Sequence, residues 1–188
     1  MSGAFRFRLA PALLQCAAMT TQDKHSHRKA DHASVACAVI TVSDTRTPES
    51  DETGNLIRTL LQKAGHRVEH YRVLQDEPAL ILGALQTLPE SVAAVLISGG
   101  TGLARRDTTY ETLSRLFDKE ISGFGELFRV LSYQEIGAAA MLSRATAGVI
   151  GRRVVFSMPG SPKAAELAME KLILPELGHV VGLVRGLR

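Results

Sequence analysis

Two hydrophobic patterns alternate along this chain. Residues 35–42 form a continuous apolar run, the pattern of a strand buried on both faces of a parallel sheet. Leu56, Ile57, Leu60, Leu61 and Ala64 then repeat at helical spacing, and Gly65 supplies a stop. Residues 66–74 read as a second strand with Val68 and Val73 as its core. Leu80, Ile81, Ala84, Leu85 and Leu88 make the stripe of a second helix, and residues 92–97 are a third strand. Leu113, Leu116 and Phe117 mark a short helix, and Phe124, Leu127, Phe128 and Leu131 one side of another. Residues 143–150 and 152–157 are two short strand candidates. Ser161 as N-cap with Pro162 behind it opens a last helix through Ala165, Ala168, Leu172 and Ile173, which Pro175 is expected to interrupt. The order β-α-β-α-β-α-α-β-β-α predicts an α/β fold, a mostly parallel, doubly wound sheet covered by helices.

Polar and small residues gather where these strands end. Ser43, Asp44 and Arg46 follow the first strand and Asp76 the second. Ser98, Gly99, Gly100, Thr101 and Gly102 follow the third, with Arg105, Arg106 and Asp107 next. Pro159, Gly160 and Ser161 follow the last. In open α/β sheets this edge is where ligands bind, so convergence of the four loops predicts one site. Glycines allow a backbone to bring its N–H groups against phosphate near a helix N-terminus, and arginine donates bidentately to phosphate oxygens. An aspartate beside phosphate needs a bridging cation, which points to Mg²⁺ at Asp107. Thr108 and Glu111 form a capping box in sequence, which would leave the Asp107 carboxylate free. Asp76 reads first as the N-cap of the helix opened by Pro78, or otherwise as a site carboxylate. Gly54 in a helical first turn implies a close neighbour, from packing or from a ligand.

Composition narrows the classes. The 188 residues are 45% hydrophobic, with no apolar run long enough to span a bilayer. The net charge of +3 resides in residues 1–33, which hold five Lys/Arg and two acids; residues 34–188 carry 17 of each. That body has no electrostatic case for nucleic-acid binding, and neither nucleic acid nor a membrane is an expected partner. Two cysteines without metal-ligand spacing make a reducing cytoplasm the default. Residues 1–33, in which Met19 is a second possible start, read as a disordered extension of a domain spanning 34–188.

With these residues in view, the chain resembles the MoaB/MogA family of molybdenum-cofactor biosynthesis proteins. The matching pieces are residues 41–46, the glycine loop 98–102 with Arg106 and Asp107, residues 123–129, Ser143 and Arg144 with their neighbours, and Met158-Pro159-Gly160-Ser161. Residues 51–54, 116–120 and 131–137 look closer to MoaB. The resemblance implies a three-layer α/β/α domain assembling as a homotrimer or homohexamer, other cofactor-biosynthesis proteins as partners, and binding of molybdopterin with ATP or GTP. It implies transfer of AMP from MgATP to molybdopterin, with Asp76 and Asp107 as catalytic acids and Mg²⁺ holders. Residues 99–102 would hold phosphate, residues 159–161 would form a nucleotide-side turn, and Ser143 and Arg144 would lie near the pterin. Arg46, Arg106 and Arg144 are the candidate phosphate contacts. A non-catalytic pterin or nucleotide carrier on the same fold is the rival reading. A nicotinamide oxidoreductase is disfavoured, because the glycine loop follows the third strand and is not G-x-G-x-x-G.

Overall fold

The computed structural model describes residues 34–187; the extension assigned to residues 1–33 lies outside the described residues. Six strands form one sheet in the order β2-β1-β3-β6-β5-β4. They are β1 (Ala36–Val42), β2 (Arg67–Leu74), β3 (Ala94–Ser98), β4 (Lys119–Glu120), β5 (Thr146–Ile150) and β6 (Arg153–Met158). Four run parallel, and β5 and β4 are antiparallel additions. The reversal at β5 follows from its connection. Only Gly151 and Arg152 separate Ile150 from its partner Arg153, and Gly151 takes φ 59°. A two-residue hairpin can join only antiparallel strands.

The helices are α1 (Glu52–Lys63), α2 (Pro78–Gln86), α3 (Thr109–Leu116), α4 (Ser122–Ile136), α5 (Pro162–Ala168) and α6 (Leu174–Arg185), with a 3₁₀ segment at Gly137–Leu142. Alternate residues of the central strands divide the core into two layers. Cys37, Val39 and Leu96 face a cluster holding Ile57 of α1, Phe128 of α4 and Leu177 of α6. Ala38, Ile40 and Ile97 face the other way, onto Ile81 and Leu85 of α2 and Leu113 of α3. This is the period of two of an extended chain, buried on both sides. The result is the three-layer α/β/α arrangement expected.

Two local expectations are corrected and one strand is added. Strand β2 is an edge strand, so Val68 and Val73 are half-buried rather than core. Strand β4, two exposed residues long, carries no hydrophobic pattern to announce it. Pro175 does not interrupt the last helix. A π turn at Met169–Ile173 runs directly from α5 into α6, and Pro175 sits in the first turn of α6. There the wider turn accommodates a residue that cannot donate to an i−4 carbonyl.

Candidate functional site

From β1 the chain runs outward to β2 at the sheet edge, then returns past β1 to β3. Ligands in open α/β sheets bind at such a reversal, beyond the C-terminal strand ends. Here the loops meet backbone to backbone. Gly99 takes φ 100° and Gly100 φ 65°. A Cβ on Gly99 would lie 2.1 Å from the Val42 carbonyl oxygen. On Gly100 it would lie 2.1 Å from Thr109 Oγ1 and 2.5 Å from Asp76 Oδ2. The Gly99 N–H donates to the Met158 carbonyl at 3.0 Å, and a Cβ on Gly160 would approach Gly99 Cα to 3.3 Å. Glycine is therefore required by the closeness of β1, β3, β6 and the Asp76 loop, as well as by φ.

Asp76 is nearly buried and is not the helix cap that its position suggests. The N-cap of α2 is Glu77. Asp76 Oδ1 instead accepts the Thr108 N–H at 3.1 Å and its hydroxyl at 2.8 Å. The capping box of α3 is also not formed. Thr108 stands at the N-cap without a side-chain cap bond, because its hydroxyl is committed to Asp76 and Glu111 pairs with Arg144. That pairing, acting against partial desolvation, holds Glu111 below the usual carboxylate range. Asp107 folds back on its own loop, Oδ2 accepting the Ala104 N–H at 2.8 Å. Asp76 Oδ2 and Asp107 Oδ1 accept no hydrogen bond among the described residues.

The arginines behave differently from one another. Arg106 is exposed and reaches Asp44 Oδ1 at 3.1 Å, while the same oxygen receives the Asp76 N–H at 3.3 Å. Arg46 binds at the start of α1, its Nη1 donating to Thr53 Oγ1 at 2.8 Å and Asp51 Oδ1 at 3.4 Å. Arg144 clamps the loop from the side. Its Nε donates to the Thr101 carbonyl, its Nη2 to the Asp107 carbonyl, and its guanidinium stacks over Tyr110. Arg46, through Nη1, and Arg144, through its whole guanidinium, are thus engaged with protein groups. Ser98 is likewise removed from the cleft: it is fully buried, and its hydroxyl meets Thr41 Oγ1 at 3.2 Å within the sheet.

A cleft of about 440 Å³ opens above the loop. Residues 99–102, Asp107, Ser143 and residues 159–161 line its polar side, and Phe128, Ile136 and Leu142 its apolar side. Ser161 caps α5 as expected, accepting the Ala164 N–H. A second hollow of about 620 Å³ lies across Asp107, between α2 and α3, with Leu82, Arg105, Arg115 and Arg144 on its walls. The two hollows share Asp107.

Two features escape sequence reading. The Thr109 hydroxyl, beside Gly100, is buried with no partner among the described residues. Asp51 is fully buried and gathers partners from three elements. An aspartate ahead of a helix carries no sign that it is more than a cap.

The sequence profile of the MoCF_biosynth family, described as a probable molybdopterin binding domain, matches residues 38–179. The chain belongs to the MoaB/MogA family of molybdenum cofactor biosynthesis proteins. Molybdenum cofactor biosynthesis protein B of Bacillus cereus is 54% identical over 157 residues, which cover 82% of this chain and 93% of that protein. A crystal structure of a molybdenum cofactor biosynthesis protein B superposes with a TM-score of 0.79 at 53% identity, covering 82% of this chain and 98% of the other. A MogA structure superposes with a TM-score of 0.70 at 25% identity, covering 79% and 99%. This MoaB/MogA fold is held in common, and the identity is higher on the MoaB side.

No group of three or more His, Cys, Asp or Glu among the described residues is arranged to enclose a metal ion. What the site offers is two carboxylates with a spare oxygen each and one orphaned buried hydroxyl. That set fits Mg²⁺, which binds through one or two carboxylates and takes its other ligands from phosphate and water. Among the described residues no helix is long and apolar enough to cross a membrane.

Proposed function

We propose that this protein binds molybdopterin and a nucleotide at the glycine loop and adenylylates the pterin. The observation that carries the reading is the placing of two carboxylates on one loop. Asp76 lies against Gly100 and Asp107 against Gly102, where a Cβ would meet Asp107 Oδ2 at 2.7 Å. An oxygen of the pterin's terminal phosphate attacks the α-phosphorus of ATP. The bond from that phosphorus to the oxygen bridging it to the β-phosphorus breaks, and pyrophosphate leaves with the electron pair.

Both reactants are anions, so the protein's task is positioning and neutralisation. Backbone N–H groups of residues 100–102 hold phosphate oxygens, and the exposed Arg106 adds a cation beside Asp107. Asp76 and Asp107 would hold Mg²⁺, whose chemistry is to neutralise charge on the departing pyrophosphate. Hollows on either side of Asp107 suit two substrates that meet at a phosphate. The exposed apolar residues of α4, namely Leu127, Val130, Tyr133 and Ile136, are proposed as a homotrimer contact, and ATP as the nucleotide.

The test is pyrophosphate release from MgATP in the presence and absence of molybdopterin. Pterin-dependent release is expected. Tight pterin binding without release would establish the carrier reading.

A further inference from the structure

A relay of four groups, half-buried at Tyr71 and Arg46 and buried at Asp51 and Thr53, runs from strand β2 to the carbonyl of Gly160. Asp51 is fully buried, yet its carboxyl lies below the ordinary aspartate range. Burial alone would raise it, but donors from Thr41, the Gly54 N–H, Tyr71 and Arg46 favour the charged form. Oδ2 accepts the Tyr71 hydroxyl at 2.8 Å, and Oδ1 accepts the Gly54 N–H at 3.0 Å and Arg46 Nη1 at 3.4 Å. The same Nη1 donates to Thr53 Oγ1 at 2.8 Å, and the Thr53 hydroxyl donates to the Gly160 carbonyl at 2.8 Å.

Helix capping explains only part of this. A cap needs one acceptor for the Gly54 N–H, and an exposed serine serves as well. A buried carboxylate is costly unless its donors satisfy it. Here the charge has a use: it holds the Arg46 guanidinium in the orientation that fixes the Thr53 hydroxyl, 107 positions from its acceptor in the chain. That acceptor belongs to the turn packed on Gly99.

We infer that Asp51, Arg46 and Thr53 are positioning residues for the candidate site, setting where the Gly160 turn stands over the glycine loop. This rests on the functional reading above, since it gives the turn a ligand to meet. Substrate need never touch the relay.

The experiment compares wild type with Thr53→Val, Thr53→Ser and Asp51→Asn by segmental amide hydrogen exchange, circular dichroism and ATP titration with Mg²⁺. Thr53→Val keeps shape but removes both hydroxyl contacts. Exchange in residues 157–164 is expected to quicken about tenfold while the β1 core keeps its protection, and ATP affinity to fall about tenfold. Thr53→Ser should restore both. Wild-type exchange in 157–164 for Thr53→Val, or a serine variant no better than valine, overturns the inference. Should Asp51→Asn fail to fold, the two Thr53 variants decide alone. Should wild type bind no ATP, the proposed function fails, and the exchange data still judge the relay.

Discussion

Asp107→Asn separates a catalytic acid from a loop-shaping one. In the structure the carboxylate accepts the Ala104 N–H through Oδ2, a bond that an asparagine carbonyl oxygen can retain. The change therefore weakens one charge-assisted hydrogen bond to a neutral one, a loss of about 1 kcal/mol. For a chain of this size that lowers Tm by about 2–4 °C. The free oxygen, Oδ1, is the one available to a cation at the phosphates. Removing such an electrostatic contribution typically costs about a hundredfold in turnover, or about 2.7 kcal/mol of transition-state stabilisation. The kinetic effect thus exceeds the folding effect by more than twofold in free energy. The assay is single-turnover pyrophosphate release at saturating molybdopterin and MgATP, beside a melting curve and a pterin titration. The expected variant melts close to wild type, binds pterin, and turns over at about one hundredth of the rate. Normal turnover would show that Asp107 only shapes its loop. A variant unable to bind pterin would place the acid in binding rather than in chemistry.

Gly99→Ala faces a carbonyl oxygen 2.1 Å away and a positive φ; it should cost at least about 3 kcal/mol and lower Tm by about 6–12 °C. Gly83→Ala, in a helix with nothing within 4 Å, should instead stabilise by about 0.5–1 kcal/mol in the same melting experiment. His66 is held below its ordinary 6.5 by burial, and its Nδ1 accepts the Val35 N–H, so folding favours the neutral ring. Its stabilising effect is complete above about pH 6.5 and fades as pH falls. Asp51, held below 3.8, adds a second decline below about pH 4. Melting curves across pH 3–8 should show both limbs, with His66→Gln flattening the first and Asp51→Asn the second. Light scattering should give about three times the chain mass of 20.3 kDa, and a monomer at micromolar concentration would end the trimer proposal.

Much of the fold was legible because the central strands are continuous apolar runs and the helices repeat at their own period. The layer assignment of Val39 and Ile40 follows from alternation alone. The place of the cleft was legible too, since glycines and Asp107 cluster where strands stop. What each side chain does there was not. Asp76 and Thr108 look like caps because the residues after them are helical, and only tertiary closeness makes them partners of each other. Arg46 and Arg144 carry a phosphate-seeking group, but a guanidinium's direction depends on which acceptors the fold brings near. Asp51 is hidden for the same reason: Tyr71 lies 20 positions away and the Gly160 turn more than a hundred.

The π turn has a consequence for the chain's arithmetic. The buried residues Ala165, Met169, Ile173, Leu177 and Val181 recur every fourth position. On an uninterrupted α-helix of 3.6 residues per turn, each such step drifts by about 40°, about 160° over the series. A stripe with that drift would wind to the far side and carry Val181 into solvent. The wider turn at Met169–Ile173 rewinds the helix midway, so both halves present their apolar edge to the same sheet. Deleting one residue there would remove the wider turn that accommodates Pro175 and rotate α6 by about 100° relative to α5. Leu177 and Val181 would then leave the core together, so the deletion should detach α6 from the sheet.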